Sequence, residues 1–150
     1  MCLLLCQVLA TSGNASFVQT EMVTGRKHQI RLHLGLGLGT PILGDSKYSY
    51  SDKLGKPQRV MGDIVNSLKI SQSKARNLPI FLHSRRVVIP EVLPNGKDLV
   101  ITANLPHFFS KTLKKLRLGP LFKVFELTQP EVVVSHQGID VSYADSFCNR

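Results

Sequence analysis

Three cations lie within six residues of one another, at Arg26, Lys27 and Arg31. Arg31 stands between Ile30 and Leu32, so on a packed helix its side chain is partly buried. A partly buried guanidinium needs an anion, which is either a carboxylate or a phosphate. A solvated helix whose cations all face water fits the composition equally well, so both interpretations stay open at this point.

A second basic pair, Arg85-Arg86, lies inside an apolar run that is rich in β-branched residues. Side chains alternate between the two faces of a strand, so one of these arginines faces solvent or a binding groove. His28 belongs to the first cluster. A hydrogen-bonded structural histidine is favoured there over a substrate contact.

The sequence lacks the patterns of several other kinds of site. Three glycines spaced by two, starting at Gly35, match neither the dinucleotide fingerprint nor a Walker loop, and they follow a predicted helix instead of opening one. His28 and His33 are five residues apart, and Cys2 and Cys6 form no CxxC pair, so we expect no metal. No serine lies in a G-x-S-x-G elbow. The patterns therefore predict neither a metal nor a cofactor.

The charge distribution favours a polyanionic partner. The 150 residues carry 19 Lys and Arg against 10 Asp and Glu, a net charge of +9 with a pI of about 9.8. Residues 1–118 hold 17 basic and 6 acidic side chains, a balance of +11. A basic domain of this kind most often binds nucleic acid. A soluble protein whose basic charge serves only its solubility fits the charge equally well.

Composition excludes several classes of protein. Apolar residues make up 43%, which is enough for a core and excludes a wholly disordered chain. No run of 18 apolar residues occurs, so we expect no membrane span. Three cysteines predict no disulfide framework and favour a reducing compartment. The first six residues have the features of neither a secretory signal nor a transit peptide.

The elements that position the first cluster are predicted from turn and cap signals. Residues 7–11 and 16–23 are predicted to form a hairpin around a turn at 12–14. The next run, residues 28–34, alternates as a strand would and also fits a helical face. Thr24 as an N-cap favours the helix, which the glycines at 35, 37 and 39 are expected to end. Residues 41–43 are extended, and Gly44-Asp45 is a turn. Residues 46–77 are interpreted as an insertion with one short helical turn around 64–68.

The elements around the second basic pair are also predicted from turn signals and hydrophobic periodicity. Residues 78–90 are β-like, and the turn signal at 94–97 predicts a hairpin with a returning strand at 99–103. A helix is predicted to start near Pro106. Its apolar face consists of Phe108, Phe109, Thr112, Leu113 and Leu116. Residues 119–150 are interpreted as a weakly structured tail.

The sequence motifs that contain the two basic clusters resemble those of a known family. The run V-T-G-R-K-H-Q-I-R-L-H-L, followed by G-T-P-I-L-G-D-S-K-Y, resembles the third sequence motif of RluA-type RNA pseudouridine synthases. The later F-L-H-S-R-R strand, the hairpin at 94–96 and the L-P-H-F-F helix start resemble the C-terminal end of that family. The similarity covers residues 7–118. The run Q-S-K-A-R-N-L-P-I-F-L-H resembles the animal mitochondrial member.

The resemblance implies an enzyme that isomerises uridine to pseudouridine in RNA without a metal or a cofactor. It implies an α+β fold in which a mostly antiparallel or mixed sheet carries packed helices. The family pairs a catalytic Asp, in an upstream R-L-D-x-x-T-S-G-like motif, with the Arg of its H-Q-x-R motif, which matches Arg31. RNA contacts are expected at Arg26, Lys27, His28, Arg85 and Arg86.

The sequence departs from the family at one decisive motif, because no R-L-D occurs in these 150 residues. Asp45 belongs to the P-I-L-G-D motif and does not match the catalytic Asp. We therefore expect residues 7–118 to be the C-terminal half of the catalytic domain, preceded by a non-family start at 1–6 and inactive alone. An open sheet edge and exposed core surface are expected to accompany such a half.

Three functional interpretations remain. The first is a pseudouridine synthase by family, acting on rRNA, tRNA or mRNA, with no membrane contact. The second is a non-catalytic basic RNA-binding module, and the third is a plain basic structural domain, such as a ribosome-associated one. Localisation is predicted to be mitochondrial by family, with nucleus or cytoplasm as the alternatives.

Overall fold

The described residues form two antiparallel sheets, and helices pack against the larger one. The computed structural model describes residues 2–49, 58–94 and 96–119, together with the backbone of 131–135. The strands are β1 (Leu4–Ser12), β2 (Ala15–Met22), β3 (Leu82–His83), β4 (Arg86–Ile89), β5 (Leu99–Thr102) and β6 (Glu131–Ser135). The helices are α1 (Gln29–Leu32), α2 (Gly62–Leu68), α3 (Gln72–Ala75) and α4 (His107–Lys115), and a π turn spans His33–Gly37. This arrangement confirms the predicted α+β fold.

The larger sheet has the strand order β1-β2-β6-β3, and all its pairings are antiparallel. Strands β1 and β2 form the predicted hairpin, since Ser12 pairs with Ala15 across a turn in which Gly13 has a φ of 56°. β1 begins at Leu4, so part of the expected non-family start at residues 1–6 belongs to this sheet. β1 lies at the edge of the described sheet and exposes Leu5 and Val8, as expected for an open edge.

The core lies between the larger sheet and the helices. Phe17 of β2, Phe81 and Phe109 of α4 are each at most 1% exposed. The Phe109 ring lies edge-to-face with those of Phe17 and Phe81, at centroid distances of 6.4 Å and 5.3 Å. Ile42 and Leu43 are fully buried beside them and precede the turn at Gly44 and Asp45. This core therefore holds the turn that carries Asp45.

The segment interpreted as an insertion contributes to the same core. The helical turn expected at 64–68 lies within α2, and α3 is a second helix that the sequence analysis did not predict. Buried side chains in this segment are Val60, Ile64, Leu68 and Ala75. Whether the segment is an insertion relative to the family stays a prediction.

The smaller sheet and α4 confirm the predictions made for residues 78–118. β4 pairs with β5 in the predicted hairpin, with Arg86 opposite Thr102. At its turn, Gly96 has a φ of 69°, while Asn95 lies outside the described residues. α4 buries Phe109 and Leu113 of the predicted face, whereas Phe108 is 43% exposed and covers the Phe81 ring from outside.

Strand β6 lies within the segment interpreted as a weakly structured tail, so that interpretation is wrong for residues 131–135. β6 stands between β2 and β3, and it joins the hairpin to the strand that precedes Arg86. The signal for it was the run of three β-branched residues at 132–134. The rest of the segment, from 120 to 130 and from 136 to 150, lies outside the described residues.

Candidate functional site

The loop before α1 is organised by Gln29, which is 2% exposed. Its Oε1 accepts hydrogen bonds from the Arg26 backbone N–H and the Thr24 hydroxyl, both at 3.0 Å, and its Nε2 donates to the Leu3 carbonyl oxygen at 3.0 Å. Gln29 thereby ties the basic loop to the start of β1. The sequence analysis overlooked this residue. The available signal was an amide inside an otherwise apolar helical face.

The predicted helix is present, but its predicted cap is wrong. The residue at the N-cap position of α1 is His28, in a left-handed conformation with a φ of 60°, and no side chain caps the helix. Thr24 instead accepts a hydrogen bond from the Leu3 N–H and donates to Gln29. The reason is that Gln29 closes the loop on itself, so the helix starts five residues after Thr24.

The glycines at 35, 37 and 39 were expected to end the helix, and the helix ends at the last of them and not at Gly35. The backbone continues through the π turn, and Leu38 N–H donates to the His33 carbonyl oxygen at 2.9 Å. Gly39, with a φ of 64°, then leaves the helix. A Cβ at Gly35 would collide with the carbonyl oxygen of Tyr48. Gly35 therefore lets the 45–49 loop approach the helix closely.

Arg31 and Asp45 meet across that approach in a two-pronged ion pair. Arg31 Nε donates to Asp45 Oδ2 and Arg31 Nη2 donates to Asp45 Oδ1, each at 2.8 Å. The Arg31 side chain is 22% exposed and that of Asp45 is 1% exposed. Arg31 is thus the partly buried cation that its neighbours predicted, and a carboxylate of the same chain is its acceptor.

The electrostatics of this pair keep both groups charged. Burial raises the pKa of the Asp45 carboxyl, but the Arg31 hydrogen bond and the N–H groups of Tyr48 and Lys47 outweigh it, and the pKa stays below its usual value. The hydrogen bond to Asp45 raises the pKa of Arg31. The pair is therefore fully ionised near neutral pH.

The two apolar neighbours of Arg31 differ in burial. Ile30 is 7% exposed, whereas Leu32 is 37% exposed, so only Ile30 belongs to the core. The Asp45 side chain is less exposed than that of Arg31, so the carboxylate lies deeper than the guanidinium.

Tyr48 connects His28 to the ion pair. The Arg31 guanidinium carbon lies 5.0 Å from the Tyr48 ring centroid, within the range of a cation–π contact. The Tyr48 hydroxyl shares a 2.8 Å hydrogen bond with His28 Nδ1. Burial lowers the pKa of His28, and the neighbouring cations Arg31, Lys47 and Lys27 lower it further. His28 is therefore a neutral, hydrogen-bonded ring at neutral pH, which is the structural role that we favoured.

A cleft of about 750 Å³ brings four of the six predicted site residues together. It lies between the loop and helix around residues 26–31 and the start of the smaller sheet around residues 80–88. Arg26, His28, Arg31 and Arg86 all line it. The two basic clusters, which are more than 50 residues apart in sequence, thus face one cavity. The lining holds three arginines and one carboxylate, Glu21, and this positive balance suits an anionic ligand.

The remaining predicted residues lie away from the cleft lining. Lys27 is exposed, and Arg85 is buried at 8% exposure. Arg86, by contrast, reaches the cleft, and its Nε atom is buried without a hydrogen-bond partner among the described residues. Burying a guanidinium N–H without a partner is costly. Because the Nε atom itself is shielded, a ligand in the cleft meets other parts of the Arg86 side chain.

Among the described residues, no group of three or more His, Cys, Asp or Glu side chains could hold a metal ion. In the same part of the chain, no helix has the length and apolar character needed to cross a membrane.

Comparison with known proteins finds close relatives. The chain is 43% identical over 113 residues to the mitochondrial pseudouridylate synthase RPUSD4 of Mus musculus and 40% identical over 112 residues to that of Homo sapiens. It is 32% identical over 128 residues to the mitochondrial mRNA pseudouridine synthase Rpusd3 of Mus musculus. No family model matches the sequence.

A solved structure agrees with these similarities. The human RNA pseudouridylate synthase domain containing 4 superposes with a TM-score of 0.68 at 37% identity, over 77% of this chain and 42% of that chain. The alignments with the mouse and human RPUSD4 proteins cover 75% of this chain but 29% of the relatives. The chain therefore spans less than a third of the length of these relatives.

Proposed function

Since this chain belongs, over about three quarters of its length, to the RNA pseudouridine synthase family, we propose that it supplies one wall of the active-site cleft of an enzyme that converts uridine in RNA to pseudouridine. The observation that carries the proposal is the position of Arg31, the Arg of the H-Q-x-R motif. Its guanidinium is held by an ion pair and lines a basic cleft.

The proposed reaction is an isomerisation. The bond between N1 of the uracil base and C1′ of the ribose breaks, the base turns, and C5 forms a bond to C1′. C5 then loses its proton and N1 gains one, so that the product is an isomer of uridine. No metal or cofactor is required in the family that the motifs resemble. Arg31 would face the catalytic Asp of the R-L-D motif. It would keep that Asp ionised, because a nearby cation favours the charged form of a carboxylate.

RNA is proposed to bind in the cleft through its phosphates. Arg26 and Arg86 line the cleft, and the exposed Lys27 adjoins Arg26 in the sequence. The RNA contact expected at Arg85 is left out of the proposal, because this residue is buried and does not line the cleft. His28, neutral and fixed by Tyr48, would contact RNA as a hydrogen-bonding group instead of as a cation. Arginine suits such a site because its planar fork matches phosphate oxygens.

Localisation and substrate class are proposed from the relatives. The names of the relatives place them in mitochondria, and one group is named for mRNA. We propose a mitochondrial protein that acts on RNA, with rRNA, tRNA and mRNA as the candidate substrates. Nucleus and cytoplasm are the alternative compartments.

We further propose that the 150 residues alone do not catalyse the reaction, because none of them matches the Asp of the R-L-D motif. Asp45 cannot replace it. Its carboxylate is 1% exposed, does not line the cleft and is occupied by Arg31.

A second candidate function, a non-catalytic RNA-binding module, is favoured by one observation. Arg31 already has a carboxylate partner inside this chain, so the ion pair is complete without a catalytic Asp. The basic cleft would then bind RNA and do no chemistry. The third interpretation, a plain basic structural domain, predicts no RNA binding in the cleft at all.

The experiment joins this chain to the segment of the mouse RPUSD4 protein that precedes the region similar to this chain. The family resemblance implies that the R-L-D motif lies in that upstream segment. The fusion is incubated with uridine-containing RNA, and the nucleosides are separated after digestion to measure pseudouridine. The control proteins are the chain alone and the fusion with Arg31→Lys. Circular dichroism and RNA affinity are recorded for each protein.

We expect pseudouridine from the fusion, none from the chain alone, and little from Arg31→Lys with RNA binding kept, because lysine cannot reproduce the two-pronged contact. Turnover by the chain alone would contradict the claim that it lacks the nucleophile. A folded, RNA-binding fusion without product would favour the non-catalytic module. Turnover by Arg31→Lys equal to that of the unmodified fusion would contradict a role for Arg31 in the reaction.

A further inference from the structure

The guanidinium of Arg31 has two edges that can bind an anion, and only one of them is occupied by a described residue. Asp45 takes the edge formed by Nε and Nη2, with two bonds of 2.8 Å. The end formed by Nη1 and the second N–H of Nη2 remains, since a guanidinium carries five N–H donors in a fixed fork. Arg31 lines the cleft, whereas Asp45 and Tyr48 do not.

Asp45 is itself held in place by the surrounding backbone. Its Oδ1 also accepts hydrogen bonds from the N–H groups of Lys47 at 2.9 Å and Tyr48 at 3.0 Å, and its own N–H donates to the Ile42 carbonyl at 3.0 Å. The Ser49 hydroxyl donates to the Asp45 carbonyl oxygen. A carboxylate with this many partners and 1% exposure has one orientation.

The loop that carries Asp45 is fixed against the helix that carries Arg31. Gly35 admits the Tyr48 backbone against the π turn, and the Tyr48 ring lies 5.0 Å from the Arg31 guanidinium carbon. An arginine side chain otherwise has considerable rotamer freedom, and freezing it costs free energy on binding. Here Asp45 and Tyr48 have frozen it before any ligand arrives.

We propose that Asp45 is a positioning residue, which locks Arg31 so that the Nη1 end of the guanidinium is presented to an oxyanion in the cleft. The inference rests on the proposed function in one respect, namely that the oxyanion belongs to RNA or to the catalytic site. Its contribution is preorganisation, since the entropy of ordering Arg31 is lost during folding and not on binding.

Positioning and simple electrostatics predict opposite effects of removing the Asp45 charge. A carboxylate near a basic cleft repels a polyanion, so on electrostatic grounds alone Asp45→Asn would tighten RNA binding. If Asp45 positions Arg31, the same change releases the guanidinium and weakens binding. A purely structural role lowers thermal stability and leaves the affinity of the folded protein unchanged. The sign of the affinity change therefore identifies the role.

The experiment measures the affinity of the full chain for a single-stranded RNA, with four variants. They are Asp45→Asn, Asp45→Glu, Arg31→Ala and the double variant Arg31→Ala/Asp45→Asn. The matched control is Asp63→Asn, which removes a carboxylate that accepts a hydrogen bond from the Asn14 N–H and does not line the cleft. Melting curves report the folded fraction of each protein.

We expect Asp45→Asn to weaken RNA binding about tenfold, the size of one lost charge-assisted contact. Asp45→Glu restores part of the affinity, Asp63→Asn leaves it unchanged, and Asp45→Asn has no effect in the Arg31→Ala background. Tighter binding by Asp45→Asn, or an equal effect with and without Arg31, would overturn the proposal.

A second measurement does not depend on RNA binding. In spectra of ¹⁵N-arginine-labelled protein, the Arg31 Nε–H signal should be distinct in the unmodified chain and in Asp45→Glu. It should move to the position of a solvated arginine in Asp45→Asn. Inorganic phosphate should then shift the Arg31 Nη signals in the unmodified chain but not in Asp45→Asn.

The two proposals fail in different ways. A chain that binds no RNA, yet shows the distinct Nε–H signal and the phosphate shift, would contradict the proposed RNA interface and keep Asp45 as the positioning residue. An Arg31 signal that is the same with Asp45 and with Asn at this position would contradict the positioning role, whatever the RNA affinity is.

Discussion

The ring of His28 lines the cleft. It shares one hydrogen bond and interacts electrostatically with three cations. Its Nδ1 bonds the Tyr48 hydroxyl at 2.8 Å. Burial lowers the pKa of His28 first, and the charges of Arg31, Lys47 and Lys27 add to the effect. The neutral ring is therefore the form that the fold favours, which makes His28 a sensitive reporter of the local charge.

We predict that His28 titrates below its ordinary value of about 6.5. Because the folded state disfavours the protonated ring, the contribution of His28 to the free energy of unfolding is present at pH 7. It is lost as the pH falls from about 6.5 through the folded pKa. Replacing Lys47 with Met should raise the pKa of His28, since it removes one cation. The midpoint is followed by NMR of the His28 ring protons.

The matched control for this titration is Lys111→Met, on an exposed position of α4 that does not line the cleft. It should leave the His28 midpoint unchanged. A His28 midpoint above 6.5, or equal shifts from the Lys47 and Lys111 variants, would contradict the local electrostatic account.

At this scale the sequence left two interpretations of Arg31 open, a partly buried cation that needs an anion and a solvated cation, and it did not identify the anion that meets Arg31. The need follows from Ile30, which is buried beside it. The partner, Asp45, is 14 residues away in a turn, and only the approach of that turn to the helix brings the two together. The role of Gln29 could not be predicted for a similar reason, because its acceptor, the Leu3 carbonyl oxygen, lies at the other end of the hairpin.

The contact between the π turn and the 45–49 loop depends on a glycine at position 35. The backbone of Tyr48 occupies the space where a Cβ of residue 35 would stand. A side chain there must displace the loop that carries Asp45 and Tyr48, both of which contact Arg31. The geometry of the cleft wall therefore depends on this element contact.

We predict that Gly35→Ala lowers the free energy of unfolding by about 1–3 kcal/mol, the usual cost of forcing an extra methyl into packed structure. The Arg31 Nε–H signal should also shift, because the Asp45 loop moves. Gly37→Ala is the matched control, as a Cβ there meets only the Leu32 carbonyl oxygen at 3.9 Å. It should be neutral, or stabilising by roughly 0.5–1 kcal/mol. Denaturant unfolding measures both variants, and equal stability of the two would contradict the prediction.

Local signals predicted the hairpins and α4 because their turns and periodicity lie within a few residues. The turn at Gly13 and the helix start at Pro106 are examples. Strand β6 was missed because its partners, β2 and β3, are distant in sequence. The N-cap at Thr24 was wrong because a tertiary contact through Gln29 competed with a local capping bond.

At the scale of the whole molecule, the cleft concentrates a charge that is spread along the sequence. The net charge is +9, and Arg26 and Arg86 reach the same cavity from distant segments. Local alternation and charge could identify both clusters as candidates. Their convergence on one cleft, and the burial of Arg85 beside a half-buried Arg86, depend on the placement of the smaller sheet across the cleft from α1. That placement is a tertiary property.

The most direct test of the account is the salt dependence of the affinity of the full chain for single-stranded RNA. Each contacted phosphate contributes a slope of about 0.7 in log K against log salt. If RNA binds in the cleft, Arg26→Ala/Arg86→Ala flattens the slope by about 1 to 2. The control, Lys111→Ala/Lys114→Ala, removes the same charge from α4 and should leave the slope unchanged. Equal slopes for the unmodified chain and the cleft variant, or equal losses in both double variants, would contradict the claim that RNA binds in the Arg31 cleft.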